Sequence, residues 1–155
     1  MPKSIKFLAC VDSREESKVA LRLSCMKAQS RGGSVDMVHV ITPADFQTIG
    51  AVADRMREEK KSEAEALLAR LANEAATTYG IAPRSLLREG EIGEEIIKVA
   101  SSDADIICVV IGIEHQNNSR GSLASWLAAQ LGGKLLTPLL MVPGNLTDEQ
   151  LRNLI

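Results

Sequence analysis

The sequence predicts a layered α/β domain built around a parallel β-sheet, and three observations carry that expectation. Segments patterned as strands and as helices alternate from one end of the chain to the other. Ile106 to Ile111 is an unbroken apolar run, which a strand needs when helices cover both of its faces. The segments between strands are long enough for right-handed crossovers. In such sheets ligands bind beyond the carboxyl ends of the strands, where chain direction across the sheet reverses. Gly112 and the polar loop after it, closed by Gly121-Ser122, are expected there.

Ile5 to Val11 (I-K-F-L-A-C-V) is the first buried strand and stops at Asp12-Ser13-Arg14-Glu15-Glu16-Ser17. An Asp or Ser there can cap the next helix, with Glu15 and Glu16 in its first turn facing the positive end of the dipole. Val19, Ala20, Leu23, Cys25 and Met26 recur at helical spacing until Gly32-Gly33 ends the segment. Val35 to Ile41 is the second strand, broken by Thr42-Pro43 because proline lacks the ladder donor. Phe46, Ile49, Val52 and Met56 suggest a short or irregular helical passage loosened at Gly50. From Asp54 to Thr78 the pattern is a long amphipathic helix with Ala64, Leu67, Leu68, Leu71 and Ala75 on one face. Its charged run from Arg57 to Glu63 reads as a solvated face.

Ser85 to Glu89 is a weaker third strand suited to a sheet edge, and Gly90-Glu91-Ile92-Gly93 turns into a helix from Glu94 to Ser101. Ile92, Ile96, Val99 and Ala100 fall on one face of it. Asp105 introduces the fourth strand. Leu123, Leu127, Ala128 and Leu131 then form a helix ending at Gly132-Gly133, and Leu139 to Val142 is the fifth strand. One domain over residues 1–144 is expected, with 145–155 as a tail whose short helix begins near Thr147-Asp148.

At 155 residues the chain can bury a core without disulfide or metal staples. One Trp, one Tyr and two Phe leave that core to aliphatic residues. A formal charge of -2 with mixed-sign surface residues gives no electrostatic footprint for nucleic acid or an acidic membrane. The strand at Ile5 to Val11 is too short and too soon interrupted to be a signal peptide or a membrane span, so a cytoplasmic protein is expected. Cys10, Cys25 and Cys108 form no C-x-x-C pair and sit in apolar elements, as buried inert thiols do.

Three pieces in order carry a resemblance: K-F-L-A-C-V-D-S-R-E-E-S at Lys6 to Ser17, V-H-V at Val38 to Val40, and R-E-G-E-I-G-E-E-I-I-K-V-A with D-A-D-I-I-C-V-V-I-G between Arg88 and Gly112. Together they resemble a universal stress protein domain, over essentially residues 4–144. The resemblance implies a three-layer α/β/α fold of the adenine nucleotide α-hydrolase-like kind, with a five-stranded parallel sheet in the order 3-2-1-4-5. It implies that ATP or AMP is held at the carboxyl ends of strands one and four, with Cys10, Asp12 and Val40 around adenine and ribose. The phosphates would meet Gly112, Gly121, Ser122 and Arg120, with Arg14 as a further source of charge. It also implies a stress-response homodimer that pairs the strand Leu139–Val142 with its antiparallel copy. That strand carries no charge, bulge or interior proline to protect an open edge. The competing expectation is that the tail folds back over that edge.

The glycine loop departs from the family form Gly-x-x-Gly, nine residues, then Gly-Ser or Gly-Thr. Gly112 matches the first glycine, but His115 stands at the second, and the Gly-Ser pair comes four residues early. Losing a glycine weakens a phosphate cradle built from backbone amides without abolishing it, because Ser122 at a helix start can still offer amides and a dipole. Simpler roles stand beside these. Asp12 can be only a helix cap, His39 an interior hydrogen-bonding residue, His115 a solvated side chain, Gly121-Ser122 a plain N-cap and Trp126 a core or interface residue. No Gly-x-Ser-x-Gly elbow, Walker loop, dinucleotide fingerprint, metal-ligand spacing or catalytic carboxylate pair is present. The expected function is therefore a regulatory nucleotide-binding module, at most a slow ATPase. The alternative is a dimeric interaction protein of the same fold that has lost nucleotide binding.

Overall fold

Alternation along β1 (Lys6–Cys10) sets up both helical layers. Phe7, Ala9 and the following Val11 point to one face and pack on Leu21, Cys25 and Ala28 of α1 (Glu15–Arg31) and on Leu67, Leu68, Leu71 and Ala75 of α2 (Ala51–Tyr79). Leu8 points to the other face, onto Ile96, Val99 and Ala100 of α3 (Ile92–Ser102). The computed structural model describes residues 4–42, 50–113, 129 and 133–155. The helix expected around Leu123 to Leu131 lies outside the described residues, apart from Ala129.

β2 (Ser34–Ile41), β3 (Arg84–Glu89), β4 (Ile106–Ile113) and β5 (Leu139–Pro143) complete a parallel sheet in the order β3-β2-β1-β4-β5. This is the order the resemblance implies. β1 and β4 are neighbours, and the switch in chain direction falls between them. Burying a Leu or Ile side chain contributes about 1.5–3 kcal/mol relative to leaving it exposed. The apolar face of α3, with Ile96, Val99 and Ala100 buried, is thus what holds it to the sheet.

Two helix starts differ from the sequence reading. Val52 and Met56 belong to one continuous helix, α2, and do not form a separate irregular passage; Phe46 and Ile49 lie outside the described residues. Gly50 stops the chain before the helix instead of loosening it within, because its φ of 77° is a conformation that glycine adopts freely and other residues rarely do. The third helix starts at Ile92, not Glu94. The Glu91 carboxylate accepts from the Gly93 and Glu94 amides at 3.1 and 2.8 Å, so a glutamate caps the first turn.

The chain after β5 forms α4 (Asp148–Arg152), opened by a capping box between Thr147 and Gln150. Fully buried Leu151 packs on Val19, Ala20, Leu23 and Met26 of α1 and on Val142 of β5. This segment therefore covers a face of the sheet. The free edge of β5 has no strand partner among the described residues, and Met141 on it is 45% exposed.

At the amino-terminal end of the sheet, four charged groups join four successive strands. Lys6 Nζ lies 2.6 Å from Asp103 Oδ2, just ahead of β4, and 3.5 Å from Asp36 Oδ2 on β2. Arg84 at the start of β3 donates to the same Asp36 oxygen at 2.8 Å. Asp36 is buried, so its carboxylate needs these cations to offset its desolvation. Asp103 is held below its ordinary pKa, first by the Lys6 hydrogen bond and then by the Asp105 amide. Lys6 is raised, chiefly by the same bond, against an opposing effect of burial.

The sign of the pH dependence follows from those shifts. Asp103 contributes stability that is present above about pH 4 and is lost as pH falls through its depressed value. Lys6 contributes stability that is present below about pH 10 and is lost as pH rises through its raised value. Lys6→Met leaves Asp36 with Arg84 alone. It should cost about 1–3 kcal/mol at neutral pH, seen as a lower urea midpoint. The variant should also lose stability less steeply below about pH 4 than the parent does. An unchanged midpoint would show that the network carries no net stability.

Candidate functional site

β1 ends between β2 and β4, so the residues following these three strands converge although they are distant in sequence. Cys10, Asp12, Val40 and Gly112 line one cavity of about 60 Å³ at the carboxyl end of the sheet. Gly121, Ser122 and Arg120 lie outside the described residues, as do His115 and Trp126. The cavity thus unites the four described residues of the expected site. Its walls also include Val38, Ile92, Ile96 and Ile111, which sequence reasoning did not place there. The signal was available: Ile92 and Ile96 stand one helical turn apart on the apolar face of α3, and Ile111 directly precedes Gly112.

Asp12 forms the polar end of the cavity. Its Oδ1 accepts from the Arg14 amide at 2.8 Å and its Oδ2 from Arg14 Nε at 2.9 Å. The carboxylate therefore closes a turn on itself and does not cap α1, whose N-cap residue is Arg14 with no side-chain cap bond. Ser17 fixes the base of this turn. Its buried hydroxyl accepts from the Asp12 amide at 3.0 Å and has the carbonyl oxygens of Asp12 and Arg14 within 2.9 and 3.0 Å as acceptors.

His39 Nδ1 lies 2.8 Å from the Val11 carbonyl. A carbonyl only accepts, so Nδ1 carries the proton and the ring ties β2 to the end of β1. His39 is in this respect an interior hydrogen-bonding residue, although it also borders the cavity.

Gly112 has a packing role that the sequence did not disclose. A Cβ on it would run into the Glu16 carbonyl oxygen and carbon in the first turn of α1. Gly144 is under the same constraint, since a Cβ there would come 2.9 Å from Glu16 Cα. Glycine at both positions lets α1 lie directly on the ends of β4 and β5, which sets the height of the Asp12–Arg14 turn over the cavity. The reason for glycine at 112 is thus at least in part the approach of a helix backbone.

Among the described residues the site is a largely apolar slot with one carboxylate, Asp12, at its rim. The valine and isoleucine walls suit the face of a flat ring, and Asp12 accepts from hydroxyl or amino donors. The Cys10 thiol is no nucleophile: burial, and secondarily the charge of Asp12, push its pKa up to about 12. Burial likewise pushes Cys25 to about 12 and raises Cys108. Among the described residues that line the cavity, no nucleophile is hydrogen-bonded to a base.

A family model described as the universal stress protein family matches residues 5–143. No curated protein sequence matches the chain significantly. Similar solved structures include the universal stress protein UspA from Lactobacillus plantarum, at 13% identity and a TM-score of 0.73, covering 92% of this chain and 99% of that one. A universal stress protein from Archaeoglobus fulgidus in complex with dAMP has 16% identity and a TM-score of 0.59, covering 91% and 99%. A universal stress protein family protein from Arabidopsis thaliana with AMP bound has 17% identity and a TM-score of 0.65, covering 94% of each chain.

The packing of Glu16 on glycine yields a direct prediction. Gly112→Ala must displace the first turn of α1 and should cost about 2–4 kcal/mol, within the range of overpacking and backbone clashes in a core. Gly133→Ala, where a Cβ meets nothing within 4 Å among the described residues, should change stability by less than about 0.5 kcal/mol. Thermal melts of both variants check this, and equal melting temperatures would refute the account of Gly112.

Proposed function

The chain belongs to the universal stress protein family, and on that premise we propose that it is a regulatory module that binds an adenine nucleotide, ATP or AMP, at the carboxyl ends of β1 and β4. The observation that carries this reading is the convergence of Cys10, Asp12, Val40 and Gly112 on one cavity at the switch point of the sheet. Adenine enters the slot between Val40 and the Ile92, Ile96 and Ile111 walls. Asp12 accepts from ribose or base donors at the rim. Gly121, Ser122 and Arg120 take the phosphates. The solved relatives with dAMP and AMP support the choice of adenine. No covalent step is assigned to the site, because Cys10 stays protonated at neutral pH.

The same reading makes the protein a stress-response homodimer that pairs β5 with its antiparallel copy. The edge of β5, which has no strand partner among the described residues, and the exposed Met141 favour this arrangement, since an unpaired apolar edge is otherwise a site of aggregation. Without nucleotide, that pairing would be the protein's remaining function, as an interaction module.

AMP or ATP at a hundred times its Kd should stabilise the native state by about 2.7 kcal/mol and raise the melting temperature accordingly. Val40→Glu should abolish that shift by filling the slot with a charge. Absence of a shift with either nucleotide at millimolar concentration contradicts the binding reading and leaves the dimeric module. Met141→Asp should turn a dimer into a monomer by light scattering. A parent protein already monomeric at micromolar concentration rules the dimer out.

A further inference from the structure

We infer that the groove between α1, α2 and α4 binds a free α-amino acid with an aliphatic side chain, whose carboxylate goes to Arg22 and Tyr79 and whose ammonium goes to Asp148 and Glu74. The groove has a volume of about 550 Å³, within the roughly 300–1,000 Å³ of small-molecule sites. It shares no described lining residue with the cavity at the carboxyl end of the sheet, so the inference stands independently of the nucleotide reading. Its floor is apolar, where Leu21 of α1 meets Leu71 and Ala75 of α2. Its walls carry both signs of charge, with Lys18 and Arg22 on α1, Glu74 on α2 and Asp148 at the start of α4.

These opposite charges face one groove without pairing across it. Lys18 turns to Glu15 of its own helix at 3.0 Å. Arg22, Glu74 and Asp148 form no ion pair and no side-chain hydrogen bond among the described residues. Arg22 is half-buried, so its guanidinium has lost part of its water without gaining an anion there. Tyr79 lies beside it. Burial and then Asp148 raise the Tyr79 pKa while Arg22 pulls it down, so the phenol stands in the field of both charges and keeps its proton at neutral pH. It therefore donates. A carboxylate set between Arg22 and the Tyr79 hydroxyl meets two donors, one of them charged. An ammonium on the carbon that bears this carboxylate then faces Asp148 and Glu74. A simple anion would be repelled by those two carboxylates and a simple cation by Arg22, whereas a zwitterion answers both. An aliphatic side chain on the same carbon covers the floor of Leu21, Leu71 and Ala75.

L-leucine titrated into the full chain, followed by amide chemical shifts, tests the site. Saturable shifts are expected at Arg22, Ala75, Thr78, Tyr79 and Asp148, with a Kd on the order of 1 mM because the ion pairs stay open to water. N-acetyl-L-leucine lacks the ammonium and L-leucinamide lacks the carboxylate, and each should bind about threefold to fivefold more weakly. Glycine, with both charges and no side chain, should also bind more weakly. Arg22→Gln should weaken leucine by about the same factor and erase its advantage over leucinamide; Asp148→Asn should do the same against N-acetyl-L-leucine. Since N-acetyl-L-leucine imitates the end of a protein chain and leucinamide its beginning, binding of either as tight as that of leucine overturns the free amino acid as ligand. Absence of saturable shifts in the groove at about 50 mM leucine overturns the site itself, as does equal leucine binding by Arg22→Gln. Should Arg22→Gln not fold, Asp148→Asn decides in the same sense.

Discussion

The close contact between the first turn of α1 and the ends of β4 and β5 governs the functional end of this molecule. Helix backbone meets strand backbone directly at Gly112 against Glu16, and Gly144, just after β5, packs on the Glu16 side chain and Cα. That contact sets the angle at which the chain leaves β1, and hence where Asp12, Arg14 and Ser17 stand. α1 is also buried on two sides, by α2 through Leu21, Cys25 and Ala28 and by α4 through Val19, Leu23 and Met26. Closely packed interiors transmit displacement instead of absorbing it. A shift of α1 would thus be felt at once in the turn over the cavity.

The opposite end of the sheet is closed by charge. Asp36 sits among apolar strands with Lys6 and Arg84 on it, and Lys6 reaches on to Asp103. The network fastens the beginnings of β1, β2 and β3 to the chain entering β4, while the carboxyl ends carry the cavity. The two ends thus divide the work. At one end cations match the buried Asp36 carboxylate, and at the other the Asp12 carboxylate, 29% exposed, stands at the rim of the cavity.

Much of the architecture was legible in the sequence because it is written in local patterns. The apolar run of β4, the helical stripe Leu67, Leu68, Leu71 and Ala75, and the weak third strand all lie where those patterns put them. Strand order came from the resemblance, not from periodicity. What could not be read is what depends on distance. Lys6 and Asp103 are 97 residues apart, and nothing near either announces the other. Gly112 looked like a ligand-facing glycine, since a sequence shows that Cβ is missing but not what occupies its place. Asp12 looked like a possible cap because it precedes a helix. Its carboxylate instead turns to Arg14, because Asp12 stands two positions before the N-cap residue, too early to reach the first free amides of α1. That Asp12, Val40 and Cys10 lie together was expected from the resemblance and the apolar walls of their cavity were not, because polar or motif-bearing residues stand out where an isoleucine looks like core.

The central claim is that an adenine ligand lies in the slot between β1, β2, β4 and α3. Amide chemical-shift mapping of the full-length protein during an AMP titration tests it most directly. The account predicts saturable shifts concentrated at Cys10 to Arg14, Val38 to Val40, Ile92 and Ile111 to Gly112, with the amino-terminal ends of the strands around Lys6 and Arg84 unchanged. Shifts centred on the groove between α1 and α2, at Lys18, Arg22 and Tyr79, with none at Asp12 or Val40, would contradict it.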